Sequence, residues 1–433
     1  MQWEGGNYDH WVGYYSSTPV LKQMIRSLFQ RLRTLKIQFV ASVIINANAT
    51  MIQHDIKKIQ QEASIMMHHD AITSTSPSRT LLDYMTRIRS TETKIDKLEN
   101  NLLNTFIESK GGSNSHSQNG ILDGSKLVTI FNPMGYERTE MLNFTTTSKY
   151  TQVYDSDGFP VQAEIFTEYL AQYTFRKNKN DNLKVYTVVF EAKTPPFSMS
   201  KYFYKTVSSP SMCDNNCATR IDAEIIEEKD VDQILENESV KIVVRPSEMI
   251  SSFKDKTNNL EVDIPTQMYT YPGTSGQTLS GLYIFNPKHR ASYRQLHIEN
   301  RYLQKGKLQT VLHTFYRVGG TSLSMCQSIT INSSKNDLLK RTVRVTTKTG
   351  TLEYFEFVMR TDISSKFDDN HTEIFVDNGA QSEKKQFYSL SEATRFNISD
   401  NDEVKYNGLN GYASIAGTAF MAKGSPHTVS PTS

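Results

Sequence analysis

Between Leu21 and Phe106 the apolar residues recur at spacings of three and four, and after Lys126 no long stretch does so. Leu21, Ile25, Leu28, Leu32, Leu35 and Phe39 form one stripe, which places them on one face of a helix. Thr18-Pro19 before it supplies an N-cap and a proline at the first helical position. Ile52, Ile56, Ile59, Ala63 and Met66 form a second stripe. Leu81, Met85, Ile88, Ile95, Leu98, Leu102 and Phe106 form a third, with a polar gap at Thr91 and a cap at Ser76-Pro77. Three amphipathic helices joined by short connections can bury their stripes only against one another, which predicts an antiparallel three-helix bundle over residues 1–109. The basic residues Lys22, Arg26, Arg33 and Lys36 lie off the first stripe and read as a solvated face.

The segment 110–126 contains Gly111-Gly112-Ser113-Asn114-Ser115 and Asn119-Gly120 and reads as a linker. Short β-rich runs separated by turn residues follow: Leu127 to Phe131, Val185 to Phe190, Val243-Val244, Leu282 to Phe285, Thr342 to Thr346 and Leu352 to Met359. With no helical pattern between them, they predict antiparallel sheets rather than βαβ units. The class is therefore α+β and multidomain. The bundle is expected to precede a small antiparallel β domain (127–230) and part of a large β-sandwich domain (231–406). A Gly-, Ala- and Ser-rich tail, 407–433, reads as loosely ordered.

The formal net charge of +2 over 433 residues gives no argument for a nucleic-acid partner. No apolar run reaches the roughly 18 residues that a membrane span needs, and the N-terminus lacks the basic and apolar regions of a signal peptide. Of three cysteines, Cys213 and Cys217 are spaced for a tight loop disulfide, leaving Cys326 alone. Glycosylation sequons stand at Asn48, Asn143, Asn237, Asn332, Asn370 and Asn397 and permit a secretory address.

The chemistry concentrates where the second stripe ends, at Met66-Met67-His68-His69-Asp70-Ala71-Ile72-Thr73-Ser74-Thr75-Ser76. Histidine and carboxylate side chains bind metals and move protons. Successive residues on a helix diverge by about 100°, so His68 and His69 are not expected to hold one ion together. Continuing the helical count places His69 and Asp70 on the side of Met66. On these residues alone two readings stand open: one metal ligand beside a carboxylate, or a satisfied core histidine with a helix-terminal aspartate.

Several segments taken in order narrow the choice. His68 to Thr75 resembles the His-His-Asp-Ala-Ile/Val-x-Gly-Thr segment of the family 38 glycoside hydrolases, the zinc-dependent α-mannosidases. Asp9-His10-Trp11-Val12-Gly13-Tyr14-Tyr15-Ser16-Ser17-Thr18-Pro19 resembles the family's Tyr-Trp-x-Gly-Tyr-Phe/Tyr-Thr/Ser-Ser-Arg-Pro. Val128 to Arg138, Asp155 to Val161, Pro196 to Phe203 and Ser280 to Pro287 are similar to its successive β segments, the last two leaning towards the lysosomal branch.

The resemblance implies hydrolysis of terminal α-linked mannose from N-glycans with retention. It implies Zn2+ as cofactor with His69 as a ligand. Asp70 would contact sugar hydroxyls, Trp11 would form an aromatic wall for the mannose ring, and Tyr283 would face substrate. It also implies a lysosomal or secretory-pathway location.

Two departures stand out: Thr18 replaces the arginine of Ser-Arg-Pro, removing a cation, and Ser74 replaces the glycine. The nucleophile, the acid/base and the remaining zinc ligands belong, in the family, to an α/β domain preceding Trp11. A retaining glycosidase needs two carboxyl groups about 5 Å apart, and no catalytic pair is nominated here. Glu227, Glu228 and Asp230 read as a solvated turn, and Glu353 and Glu356 as solvated strand residues. The chain is thus expected to be inactive alone and to pair with mannose-containing oligosaccharides and with the missing catalytic domain. The alternatives are a non-catalytic carbohydrate-binding or assembly subunit, and an unrelated helical-plus-β protein.

Overall fold

In the computed structural model, residues 13–44, 50–109, 124–167, 185–213, 215–272, 282–283, 292–321, 323–333, 339–347, 355–361, 373–376 and 381–384 are described. The expected tail at 407–433, Trp11 and the sequons Asn48, Asn370 and Asn397 lie outside them. Contacts divide the chain into two compact units, one of residues 1–111, 272–290 and 365–433, the other of residues 112–271 and 291–364.

The first unit holds a short helix α1 (Gly13–Ser16) and three long ones, α2 (Pro19–Ile44), α3 (Thr50–Ile65) and α4 (Ser78–Ser109). The expected stripes form its core. Leu21, Ile25, Leu28, Leu32 and Leu35 of α2 are buried against Ile56, Ile59 and Ala63 of α3, with Met66 just beyond it, and Ile88, Ile95, Leu98 and Leu102 of α4. The polar gap at Thr91 is buried too, because its hydroxyl donates to the Arg87 carbonyl one turn back (2.8 Å) and needs no other partner. Arg31 joins α2 to α4 through Asp96 (2.5 Å) and Glu99 (2.7 Å). Arg33 and Lys36 are exposed as expected, but Lys22 is buried, a departure taken up below.

The second unit is built of β-sheets whose described pairings are antiparallel with one exception. Strands 126–132, 198–206 and 151–154 form one three-stranded sheet. Strands 138–146, 186–194, 163–167 and 219–221 form a four-stranded one, whose last pairing is parallel. Val153, Ile165, Val188, Phe190 and Tyr202 are among the residues that fill the core they share. The Asn132-Pro133 motif is structural: the buried Asn132 amide donates to the carbonyls of Tyr136 (2.8 Å), Thr194 (3.0 Å) and Pro195 (2.9 Å), and its oxygen accepts the Met134 N–H (3.0 Å). Farther along the chain come a four-stranded meander (233–263), a three-stranded sheet and a five-stranded sheet of strands 339–347, 323–332, 309–318, 296–305 and 224–225.

The two β regions separated in the sequence reading join in this one unit. Strand 224–225 falls near the expected boundary between them, yet it pairs with Tyr302 and Leu303. Phe166 and Val189 pack with Val311. Buried Glu164 accepts the backbone N–H groups of Lys307 (2.5 Å) and Gln309 (3.2 Å), clamping the hairpin between two strands of the five-stranded sheet. The expected strand at Leu282 to Phe285 is not one where it is described: Leu282 and Tyr283 lie in a bend, and their segment packs with the helical unit.

Removing the Glu164 carboxylate leaves two donors of a tight turn without an acceptor inside the protein. Glu164→Ala should lower the unfolding free energy by about 2–4 kcal/mol, read from urea denaturation; a loss below the error of that measurement would show that the clamp is dispensable.

Candidate functional site

The His-His-Asp segment does not continue α3. After Ile65 the chain tightens: Met66, Met67 and His68 donate to carbonyls three residues back, and Ala71 and Ile72 both donate to the His68 carbonyl (2.9 and 3.1 Å). Met66 and Ala71 are buried and anchor the turn at both sides. The helical count therefore fails at Met66, two residues before the first histidine. His69 does not continue the buried face; its side chain is 85% exposed. His68 does not diverge from it either. The two imidazoles lie side by side, with ring centroids 4.3 Å apart.

Both rings face one carboxylate oxygen. His68 Nε2 lies 3.3 Å and His69 Nε2 3.7 Å from Asp70 Oδ2. The other oxygen, Oδ1, is held by the Thr75 hydroxyl (2.7 Å) and, at longer range, by the Tyr283 hydroxyl (3.4 Å). The Thr75 hydrogen bond first, then the two histidines and Tyr283, hold the Asp70 carboxyl below its ordinary proton affinity, so it is a carboxylate at neutral pH. The Tyr283 carbonyl accepts the Gly13 N–H (3.1 Å), which ties this bend to α1. The structure thus brings Asp70, His69 and Tyr283 together, 213 residues of sequence notwithstanding, and adds His68 and Thr75 to them.

Ligand atoms of His68, His69 and Asp70 all lie within 4.8 Å of one another. A zinc ion with ligand bonds near 2.0–2.1 Å asks for donors about 3.3 Å apart in tetrahedral array. The nitrogen–oxygen separations here fit that spacing with little movement, so the donor set suits zinc, with room on the exposed side for further ligands.

Lys22, which the sequence reading placed on a solvated face, holds this turn in position. Its ammonium donates to the carbonyls of Ser17 (2.6 Å) and Thr73 (3.0 Å) and to the hydroxyls of Ser17 and Ser74 (both 3.3 Å). The Ser17 hydroxyl donates to the same Thr73 carbonyl (2.6 Å). One signal could have shown it: Lys22 directly follows Leu21 at the start of α2, where the apolar stripe meets the incoming chain. Two residues at this junction have left-handed backbones, Thr18 (φ 44°) and Ser74 (φ 58°). Such a backbone costs a side-chain-bearing residue about 1–2 kcal/mol, which is the physical reason that a glycine suits the position of Ser74.

Known proteins resemble this chain over the region that holds these residues. Residues 9–106 match the model of the alpha mannosidase middle domain. Alpha-mannosidase F of Dictyostelium discoideum is 25% identical over 227 residues, which span 47% of this chain and 22% of that protein. Alpha-mannosidase 2 of Spodoptera frugiperda is 22% identical over 363 residues, 72% of this chain and 32% of that one. Among solved structures, an alpha-mannosidase from Enterococcus faecalis V583 aligns over 84% of this chain and 47% of its own, with a TM-score of 0.44 and 12% identity. The chain spans between about a fifth and a third of the length of these curated relatives. It is thus related at low identity to α-mannosidases, which are glycoside hydrolases, through a region that includes their middle domain.

Burial without a counter-charge lowers the Lys22 ammonium from 10.5 to about 8. The folded chain therefore sheds this proton before the unfolded chain does, and the stability that depends on Lys22 should rise as pH climbs from about 8 to about 10.5. Measured as the difference in unfolding free energy between the native chain and Lys22→Met, the gap should widen over that window, by at most about 1.4 kcal/mol per pH unit. A flat difference would mean that the ammonium is solvated.

Proposed function

We propose that this chain supplies one side of an α-mannosidase active site, of lysosomal type, acting on terminal α-linked mannose of N-glycans. The observation that carries the reading is the convergence of Tyr283 with His69 and Asp70 on one exposed patch, the last two lying within residues 9–106, which match the alpha mannosidase middle domain. His69 and Asp70, with His68 in reach, would hold the zinc. Bound there, the ion would act as a Lewis acid towards sugar hydroxyls.

The chain's own residues divide the remaining work. Thr75 and Tyr283 fix one oxygen of Asp70, which leaves the other free to meet a cation or a hydroxyl. The exposed face of Tyr283 offers apolar surface to a sugar ring, a role the resemblance gives to Trp11 as well. The nucleophile and the proton donor, the two carboxyl groups that retention requires, would come from the catalytic domain that precedes this region in the family.

Two measurements test the reading. In calorimetric titration at neutral pH the chain should bind one zinc with micromolar or weaker affinity, and His69→Ala should abolish the heat; a native chain that takes up no zinc, or one whose uptake survives His69→Ala, would remove His69 from the metal site. Assayed with an aryl α-mannoside and added zinc, the chain alone should show no turnover. Turnover that disappears in His69→Ala would show that it holds its own nucleophile and proton donor. Zinc-dependent mannoside binding by a chain that stays inactive when the catalytic domain is supplied would favour the carbohydrate-binding alternative.

A secretory or lysosomal address is part of the same proposal. The Cys213–Cys217 bond, the pairing the spacing suggested, is compatible with an oxidising compartment. The sequon asparagines of the described residues differ in availability. Asn143 is exposed. Asn332 is buried and accepts from Gln309 (2.9 Å), and the Asn237 amide donates to the Asn332 carbonyl (2.7 Å). Expressed through a secretory host, the chain should carry glycan at Asn143 and none at Asn237 or Asn332; peptide mass spectrometry reads this directly, and glycan at Asn332 would contradict its buried place.

A further inference from the structure

Thr73 belongs to the turn that follows Asp70, and its main chain is the part of that turn gripped from α2: the Thr73 carbonyl accepts the Ser17 hydroxyl (2.6 Å) and the Lys22 ammonium (3.0 Å). Its side chain meets the metal patch. The Thr73 hydroxyl donates to the main-chain carbonyl of His69 and lies 2.9 Å from the hydroxyl oxygen of Thr75. Thr75 in turn donates to Asp70 Oδ1 (2.7 Å).

A threonine hydroxyl carries one proton and two acceptor lone pairs. The proton of Thr75 goes to Asp70. The proton of Thr73 then has two acceptors in reach, the His69 carbonyl and the Thr75 oxygen. Directed at His69, it fixes the main chain that carries that imidazole. Directed at Thr75, it extends a chain from Thr73 through Thr75 to Asp70, in which each hydrogen bond polarises the next. In both arrangements this one hydroxyl acts on a residue whose side chain can bind the metal.

Other threonines donate to the carbonyl four residues back, among them Thr86 (2.8 Å) and Thr93 (3.0 Å) in α4. There the acceptor belongs to a regular helix, and the bond is a local alternative for the hydroxyl. At Thr73 helix α3 has already ended, and the acceptor belongs to His69. We infer that Thr73 is a positioning residue for the zinc patch, acting through His69 and Asp70 rather than on the metal or the sugar. The inference rests on the zinc reading above and adds to it the group that holds two ligands in register. Outer partners of metal ligands change metal affinity by roughly 10- to 100-fold when they are removed.

The test titrates zinc into the full chain and its variants by calorimetry at neutral pH, with the unfolding free energy of each variant measured in metal-free buffer. Thr73→Val keeps the shape of the side chain and removes the hydroxyl; its zinc affinity should fall by roughly 10-fold or more. Thr73→Ser keeps the hydroxyl and should bind zinc nearly as the native chain does. Thr86→Val removes an equivalent bond from α4 and should leave zinc affinity unchanged, whatever it does to stability. Should Thr73→Val fail to fold, Thr73→Ala is titrated in its place with the same expectation. A merely structural hydroxyl would lower the unfolding free energy of Thr73→Val and leave its zinc affinity native. That result, or a loss of affinity that Thr73→Ser shares in full, overturns the inference and leaves the zinc reading standing. A native chain that takes up no zinc overturns both.

Discussion

The arrangement of the candidate site depends on one buried ammonium. Lys22 sits at the start of α2 and, among the described residues, has no carboxylate to answer it; its hydrogen bonds go to two carbonyls and two hydroxyls, from Ser17 on one side and Thr73 and Ser74 on the other. An ion pair would have neutralised the charge, but it would have fixed a side chain rather than a main chain. Bonding to carbonyl oxygens fixes backbone, and here it fixes two backbones that carry left-handed residues, Thr18 and Ser74. The turn that leaves α3 is thereby held against the turn that enters α2. His68, His69 and Asp70 inherit their positions from that contact. In the family the residue at Thr18 is an arginine; in this chain the cation at the junction is one helical turn farther along, directed inward.

The same device recurs in the β unit with opposite charge. Glu164 is buried and answers backbone N–H groups of a hairpin, and Asn132 answers three carbonyls and one N–H at a chain corner. In each case a single polar side chain satisfies main-chain groups that regular secondary structure leaves over, at the places where the chain must turn sharply. Such groups are costly to bury and costly to remove, so they fix loop geometry more firmly than apolar contacts of similar size. Buried Arg301 extends this pattern: it satisfies the carbonyls of Lys229 and Val231 with one nitrogen and is hydrogen-bonded to the Tyr316 hydroxyl.

The helical bundle was legible in the sequence because its signal is periodic and its core is apolar: every stripe residue from Leu21 to Leu35 is buried, and even the interruption at Thr91 is absorbed by a local hydrogen bond. Some β strands were legible, such as 126–132, 186–194 and 339–347, but the ten-residue strands 296–305, 309–318 and 323–332 were not named, and the junction of the two β regions was not seen. Strand 224–225 is two residues long and polar at one of them, so no pattern distinguishes it from a linker. The site was legible in its residue types and illegible in its geometry. A helical count gives directions only while the chain remains helical, and α3 ends at Ile65, before the first histidine. Lys22 was hidden for a related reason: a lysine beside an apolar stripe is usually solvated, and here the turns at Ser17 and at Thr73-Ser74 cover it.

The geometry of Asp70 then links the fold to the chemistry. A carboxylate free on both oxygens would rotate and offer no fixed direction to a ligand. With Oδ1 tied to Thr75 within the turn and to Tyr283 from a distant segment, Oδ2 is left as the single oriented acceptor, and both imidazoles flank it. Preorganisation of this kind matters most where the incoming partner is a cation or a sugar hydroxyl, since the entropy of ordering the group has been met during folding. It also explains why Tyr283 is brought across from a β-rich stretch of sequence to the helical unit. Its backbone is pinned by Gly13, its hydroxyl completes Asp70, and its ring remains exposed. A core tyrosine would be covered; Tyr283 is held through its backbone and its hydroxyl and keeps its ring at the surface.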